Sequence, residues 1–181
     1  PAAIGYSQSS GIPYADGLIK NRYVGRTFIQ PTQAMREAGI RVKLNPLPDV
    51  LNGKRVVVID DSIVRGTTSK KLVQALRDAG AIEVHMRISS PPVTHPCFYG
   101  IDTDTQDQLI AARLTLKEIE EHLKVDSLAY LSKEGMVEAA HAQSEHFCTA
   151  CFDGNYPVPM DASIKASKLM LEPAGVAATH L

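Results

Sequence analysis

At 181 residues the chain has the usual size of one domain, or of one domain with an appended segment, and is long enough to bury a sizeable core. Its 19 Lys and Arg balance 20 Asp and Glu, a formal net charge of -1, so no basic field draws nucleic acid or an anionic membrane, and any polyanionic ligand has to be held locally. No apolar run approaches the roughly 20 residues that span a bilayer, and Pro1 to Ser10 lack a basic stretch followed by an apolar core, so the reading is of an intracellular, cytoplasmic protein.

In chain order, Pro1-Ala2-Ala3-Ile4-Gly5 opens without Met and without a strand before it, the expectation being a fragment that lacks its amino-terminal portion. Residues 1–10 read as the close of a helix, Gly11-Ile12-Pro13 as a break, and residues 14–20 as a short strand. Residues 21–53 show little periodicity and predict a long mobile connection with a short helix at 33–38. This stretch carries Arg22, Arg26, Arg36, Arg41 and Lys43, with Tyr23 and Phe28 interleaved. Loops of that length are either functional or disordered, and a solvated loop is the plainer alternative.

Val56-Val57-Val58-Ile59 is a continuous β-branched run, as expected of a central parallel strand covered on both faces, and it ends in Asp60-Asp61. Ser62-Ile63-Val64-Arg65-Gly66 leads to a helix from about Thr67, whose Leu72, Val73, Leu76 and Ala79 share a face that stops at Gly80. Residues 81–88 predict a second strand, with Ile82, Val84, Met86 and Ile88 alternating against polar residues, before Ser89-Ser90-Pro91-Pro92. Strand, helix and strand in that order predict a right-handed βαβ unit. Beyond Pro92 the segments read as helical. Thr115 and Glu118 have capping-box spacing ahead of Leu116, Ile119 and Leu123, residues 133–142 form another short helix, and the proline-punctuated stretch from Gly154 onward is weakly ordered. The resulting division is 1–92 for an α/β core, 93–157 for a helical, cysteine-bearing region and 158–181 for a tail.

The chemistry concentrates after Ile59. Backbone N–H groups converging at a helix amino terminus are unpaired donors on the positive end of the dipole, and Gly66-Thr67-Thr68-Ser69 offers them together with three hydroxyls to a phosphate. Gly66 is expected to let the backbone approach that ligand. Asp60 and Asp61 can accept hydrogen bonds from the vicinal hydroxyls of a ribose and can hold hydrated magnesium. An isolated Asp-Asp is ordinarily an acidic turn and helix cap. Neither the Gly-x-x-x-x-Gly-Lys of a nucleotide loop nor the Gly-x-Gly-x-x-Gly of a dinucleotide site is present. The second constellation is cysteine. The chain has three, Cys97 and the Cys148-Thr149-Ala150-Cys151 pair, an odd number that fits metal or redox chemistry better than a secreted disulfide framework.

The run from Val56 to Ser69 resembles the phosphoribosyl-pyrophosphate motif of the type I phosphoribosyltransferases. Asn21-Arg22-Tyr23-Val24-Gly25-Arg26-Thr27-Phe28, Arg41-Val42-Lys43-Leu44-Asn45 and Ser89-Ser90-Pro91-Pro92 narrow the resemblance to the amidophosphoribosyltransferase family, over residues 1 to about 157. The resemblance implies an α/β phosphoribosyltransferase fold, a parallel sheet flanked by helices with a helical carboxyl-terminal region. It also implies an enzyme that passes ammonia from a glutaminase domain, absent from this sequence, to phosphoribosyl pyrophosphate, giving 5-phosphoribosylamine in the committed step of purine synthesis. Carried over by position, Asp60 and Asp61 would serve magnesium and ribose. Ser62, Arg65 and Gly66 would complete the substrate loop, and Thr67, Thr68 and Ser69 would hold the 5-phosphate. Arg26 and Lys43 would stand near the leaving pyrophosphate, and Tyr23 would help form the closed loop.

The resemblance further implies the first transferase strand and its loop upstream, a homo-oligomer (a tetramer) inhibited by purine nucleotides, and a [4Fe-4S] cluster on Cys97, Cys148 and Cys151 with a fourth ligand outside this chain. Zinc on these cysteines with His146 or His95, and inert buried thiols, are the alternatives. Two rival functions are a nucleobase phosphoribosyltransferase and a non-catalytic regulator that senses phosphoribosyl pyrophosphate. The latter would need a helix-turn-helix or basic face, and neither is in the sequence.

Overall fold

The computed structural model describes residues 1–20, 44–101, 103, 105–141 and 147–158. The expected helix at 33–38, the residues Tyr23, Arg26 and Lys43, and the tail from 159 onward lie outside them.

Helix α1 (Ala2–Ser10) forms where the opening residues predict one, and none of its residues is buried. Strand β1 (Leu18–Lys20) is shorter than the expected 14–20 and pairs antiparallel with β2 (Leu44–Pro46), in the register Leu18 to Pro46 and Lys20 to Leu44. One helical turn, α2 (Pro48–Leu51), follows and buries Leu51. The end of the expected mobile connection is therefore regular structure. An isolated three-residue strand has no detectable period, and only its partner across the intervening residues stabilises it.

The main sheet has three parallel strands in the order β3 (Arg55–Asp60), β4 (Glu83–Ile88), β5 (Ser127–Tyr130). Helix α3 (Thr67–Asp78) makes the crossover from β3 to β4, as the sequence predicts. After Pro92 come a 3₁₀ turn (Gln106–Gln108) and the helices α4 (Ile110–Arg113), α5 (Leu116–Leu123), α6 (Lys133–Ala139) and α7 (Ala150–Asp153). Helices dominate this region as expected, but it also returns β5 to the sheet. Ser127-Leu128-Ala129-Tyr130 was unreadable as a strand because Leu128 is its only buried side chain.

The second correction concerns β3, which among the described residues lies at the edge of the sheet, while β4 is central. Alternation in β4 reflects one apolar and one polar face. Val84, Met86 and Ile88 are at most 2% exposed. On the other face, His85 Nε2 stands 3.0 Å from Glu83 Oε2 and Nδ1 stands 2.9 Å from Ser127 Oγ. Arg55 and His85 hold the Glu83 carboxyl below its usual range, so it accepts from the ring and from the guanidinium. Arg87 Nη1 donates to the same Ser127 oxygen at 3.0 Å. A central strand can alternate when its polar face is satisfied in this way.

The core forms where Leu72, Val73 and Leu76 of α3 and Ile119 and Leu123 of α5 meet Val84, Met86, Ile88 and Leu128. Ile82 and Leu116, expected on these faces, are 58% and 48% exposed. Ile82 precedes β4, with its amide tied to the Lys54 carbonyl, and Leu116 occupies the first turn of α5, beyond the edge of the core. The predicted capping box is present. Thr115 N–H donates to Glu118 Oε2 at 2.7 Å, and Glu118 N–H donates to Thr115 Oγ1 at 3.4 Å. At the far end of α3, Arg77 donates to the Lys124 carbonyl and to Asp126, whose carboxylate also accepts the Val84 N–H at 2.7 Å. Among the described residues no helix is long and apolar enough to cross a membrane.

Candidate functional site

The two acids stand at the carboxyl end of β3, where ligands gather in open α/β sheets. The Asp60 carbonyl accepts from Ser89 N–H at 2.9 Å and from Ser89 Oγ at 3.1 Å, which fixes the strand tip to the exit of β4. Asp60 Oδ1 accepts the Asp61 N–H at 3.0 Å, and Asp61 Oδ1 accepts the Ser62 N–H at 2.7 Å. Asp60 pairs in register with buried Ile88 and is half-buried, whereas Asp61 is exposed. Burial pushes the Asp60 carboxyl up, the Asp61 N–H opposes the shift, and the Asp61 charge adds to it. A half-buried carboxylate beside a second negative charge is relieved by a cation.

The next five residues reverse the chain into α3. Ile63 is 1% exposed and anchors the loop, and the Val64 carbonyl accepts the Ile110 N–H at 2.9 Å. Gly66 has φ 78, and an added Cβ would lie 2.7 Å from Ile110 Cδ1, 3.5 Å from Leu123 Cδ2 and 3.7 Å from His122 Cδ2. Glycine is thus required here by its positive φ and by the closeness of Ile110 from α4, a demand that stands beside the ligand approach expected from sequence. Helix α3 has no side-chain cap, unlike α5 and α6, where Ser132 Oγ accepts the Gly135 N–H. Its first turn presents exposed Thr67, half-buried Thr68 and Ser69 at 4% exposure. An uncapped helix start flanked by hydroxyls suits an anion.

Two further residues stand near this turn. Lys70 sits in the first turn of α3, where a cation opposes the helix dipole, and that misplacement was a usable signal for a bound anion. His122 reaches the back of Gly66 from α5, and burial together with the Lys70 charge holds its imidazole pKa below the usual value. No local signal places His122 there, because the contact spans more than fifty residues of sequence. Two hollows among the described residues lie elsewhere. One of about 630 Å³ is bordered by Asp49, Asn52, Lys54 and Asp78, and one of about 560 Å³ runs between α1 and the edge of β3; neither is lined by residues 60–69.

The cysteines form a separate group. The Cys151 carbonyl accepts N–H bonds from Thr94 at 2.9 Å and His95 at 3.0 Å, and Thr94 Oγ1 donates to the Phe152 carbonyl at 2.9 Å. This docks α7 against the segment that leads to Cys97. Cys148 is exposed, and Cys97 and Cys151 are half-buried. Burial pushes the Cys151 thiol up, and the charges of Cys97 and Cys148 push it the same way. Among the described residues no three His, Cys, Asp or Glu side chains are grouped to hold a metal ion, and His146 lies outside them.

Asp153 secures this docking. It accepts from Asn155 N–H at 2.9 Å, from Lys133 Nζ at 3.0 Å and from Thr149 Oγ1 at 2.9 Å, and its carboxyl is held down at about 2, the Asn155 N–H being the largest cause. A carboxyl pKa lowered by folding stabilises the fold above its unfolded value of about 3.9, and that contribution is lost as pH falls toward 2. The melting-temperature gap between wild type and Asp153→Asn should therefore shrink from pH 6 to pH 2. A gap of constant size would show that the charge is not its source.

No family model matches the chain. The amidophosphoribosyltransferase of Synechocystis sp. is 73% identical over 172 residues, 95% of this chain and 35% of that protein. That of Bacillus subtilis is 56% identical over 160 residues, 86% of this chain and 34% of that protein. The chain belongs to the amidophosphoribosyltransferase family. It spans about a third of the length of these curated relatives. A solved structure of the B. subtilis glutamine phosphoribosylpyrophosphate amidotransferase, complexed with ADP and GMP, superimposes with a TM-score of 0.78 at 55% identity, covering 89% of this chain and 36% of that one. In this amidophosphoribosyltransferase segment, Asp60, Asp61, Ser62, Arg65, Gly66, Thr67, Thr68 and Ser69 run from the tip of β3 into the first turn of α3, and Cys151 lies in α7.

Proposed function

We propose that this chain carries the phosphoribosyl-transfer half of an amidophosphoribosyltransferase. In this reading ammonia, released from glutamine by a glutaminase domain outside the chain, displaces pyrophosphate from phosphoribosyl pyrophosphate to give 5-phosphoribosylamine, opening purine synthesis in the cytoplasm. The observation that carries the reading is half-buried Asp60 and exposed Asp61 beside the uncapped start of α3, one grip for ribose hydroxyls and one for a phosphate. Asp60 and Asp61 would accept from the ribose hydroxyls and hold magnesium, whose chemistry is to neutralise the pyrophosphate. The first amides of α3, with Thr67, Thr68 and Ser69, would hold the 5-phosphate, and Ser62 and Arg65 would border it. Arg26 and Lys43 would neutralise the leaving group while Tyr23 helps exclude water.

In the same reading Cys97, Cys148 and Cys151 would be three ligands of a [4Fe-4S] cluster, and since the chain has only three cysteines, the fourth would come from elsewhere in the protein. A homotetramer is part of the same reading. The test is anaerobic production of the full-length parent protein, with iron and sulfide quantified and ammonia-dependent pyrophosphate release measured with magnesium and phosphoribosyl pyrophosphate. Turnover with about four irons supports both assignments. Turnover without iron keeps the enzyme and removes the cluster, and tight substrate binding without turnover points to a sensor.

A further inference from the structure

Segment 94–99 and segment 151–158 are fastened along their length by contacts that involve no metal. Cys151 accepts the Thr94 and His95 amides, and a Cβ added to Gly154 would lie 2.8 Å from His95 Nε2, so the chain runs close over that ring. Farther along, Tyr156 Oη donates to the Pro96 carbonyl at 2.7 Å. Its ring packs against Phe98 at 5.2 Å and edge-on to Tyr99 at 6.1 Å. Tyr99 Oη in turn donates to the Val158 carbonyl at 2.9 Å and accepts the Val158 N–H at 3.1 Å. The stretch from Gly154 to Val158 was expected to be weakly ordered, yet it is clasped at both of its tyrosine contacts. Cys97 lies inside this seam, its N–H donating to Thr103 Oγ1 at 2.6 Å and its sulfur accepting the Tyr99 N–H at 3.4 Å.

We propose that Tyr156 is a positioning residue for the two cysteine segments, the buckle of a strap over residues 154–158 that holds the Cys97 segment against the Cys151 segment and keeps reagents away from both thiols. Two aromatic contacts and one hydrogen bond converge on its ring and hydroxyl, so its removal opens the strap locally without touching the core. Cys148, exposed outside the strap, is a built-in control. The expectation for iron rests on the cluster reading above; the expectation for the thiols does not.

The experiment compares full-length wild-type protein with Tyr156→Ala and Tyr156→Phe. In the anaerobic iron-loaded form, the rate of iron removal by a ferrous chelator is followed. In the iron-free form, modification by an aromatic disulfide is read cysteine by cysteine by mass spectrometry, with melting curves alongside. Tyr156→Ala should speed iron loss and modification of Cys97 and Cys151 about tenfold while leaving Cys148 unchanged, and Tyr156→Phe, which keeps the ring, should fall between. Rates at Cys97 and Cys151 within about twofold of wild type, or an equal rise at all three cysteines with a lowered melting temperature, overturn the proposal. If wild type binds no iron, the cluster reading fails, and the rates at Cys97 and Cys151 still decide the role of Tyr156.

Discussion

Replacing Gly66 with Ala is expected to destabilise the fold by about 3 kcal/mol, combining the strain of a non-glycine residue at positive φ with overpacking of the core. The residue sits at φ 78, and the new Cβ would stand 2.7 Å from Ile110 Cδ1. That atom identifies the cause. Ile110→Val removes Cδ1 and by itself should cost about 1 kcal/mol. The double variant should then be more stable than the sum of the two single effects, by about 1 kcal/mol of coupling. Denaturant unfolding of the four proteins completes the cycle. Strict additivity would mean that backbone strain alone accounts for the loss and that the packing explanation is wrong.

The second large effect separates binding from stability at the acidic pair. Asp60→Asn and Asp61→Asn should each weaken magnesium-dependent binding of phosphoribosyl pyrophosphate by about 1.5–3 kcal/mol, the range for a hydrogen bond to a charged group, or roughly ten- to a hundredfold. Their effects on the unliganded fold should differ. Asp60 has its carboxyl pKa raised by burial, so its contribution to stability is complete below the unfolded value and is lost as pH rises through the folded value. At neutral pH the ionised Asp60 therefore burdens the empty protein, and Asp60→Asn should raise the melting temperature slightly while it impairs binding. Asp61 is exposed, and Asp61→Asn should leave the melting temperature nearly unchanged. Calorimetric titration with and without magnesium, paired with melting curves at pH 7, reads both quantities. Undiminished affinity in both variants would remove the pair from the ribose and magnesium site.

The strand-turn-helix from Val56 to Asp78 was legible because each level of its sequence agrees: a β-branched run, two acids, a glycine with hydroxyls, then a 3.6-residue apolar period. The candidate phosphoribosyl site was legible for the same reason, since its residues are contiguous. Where local signals were weak or misleading, the reading failed. Four residues are too few to show a period, so β5 passed for part of a helical region, and β2 was absorbed into a loop. The central place expected for β3 is taken by β4 among the described residues, because a run of valines reports burial propensity and says nothing about how many neighbours a strand acquires. Ile82 and Leu116 fit the apolar spacing yet project past the ends of their elements.

By itself the sequence determined the α/β character of the chain, the turn that joins the Asp60-Asp61 pair to the start of α3, and the capping box of α5, all set by contacts a few residues apart. Only the tertiary structure decided that β4 is the central strand among the described residues, that Ile110 crowds position 66, and that Tyr156 and Asp153 fasten the cysteine segment. Those facts depend on residues brought together across long separations, and they follow from the packing of α4, α5 and α7 against the sheet and its loops, which no local pattern encodes.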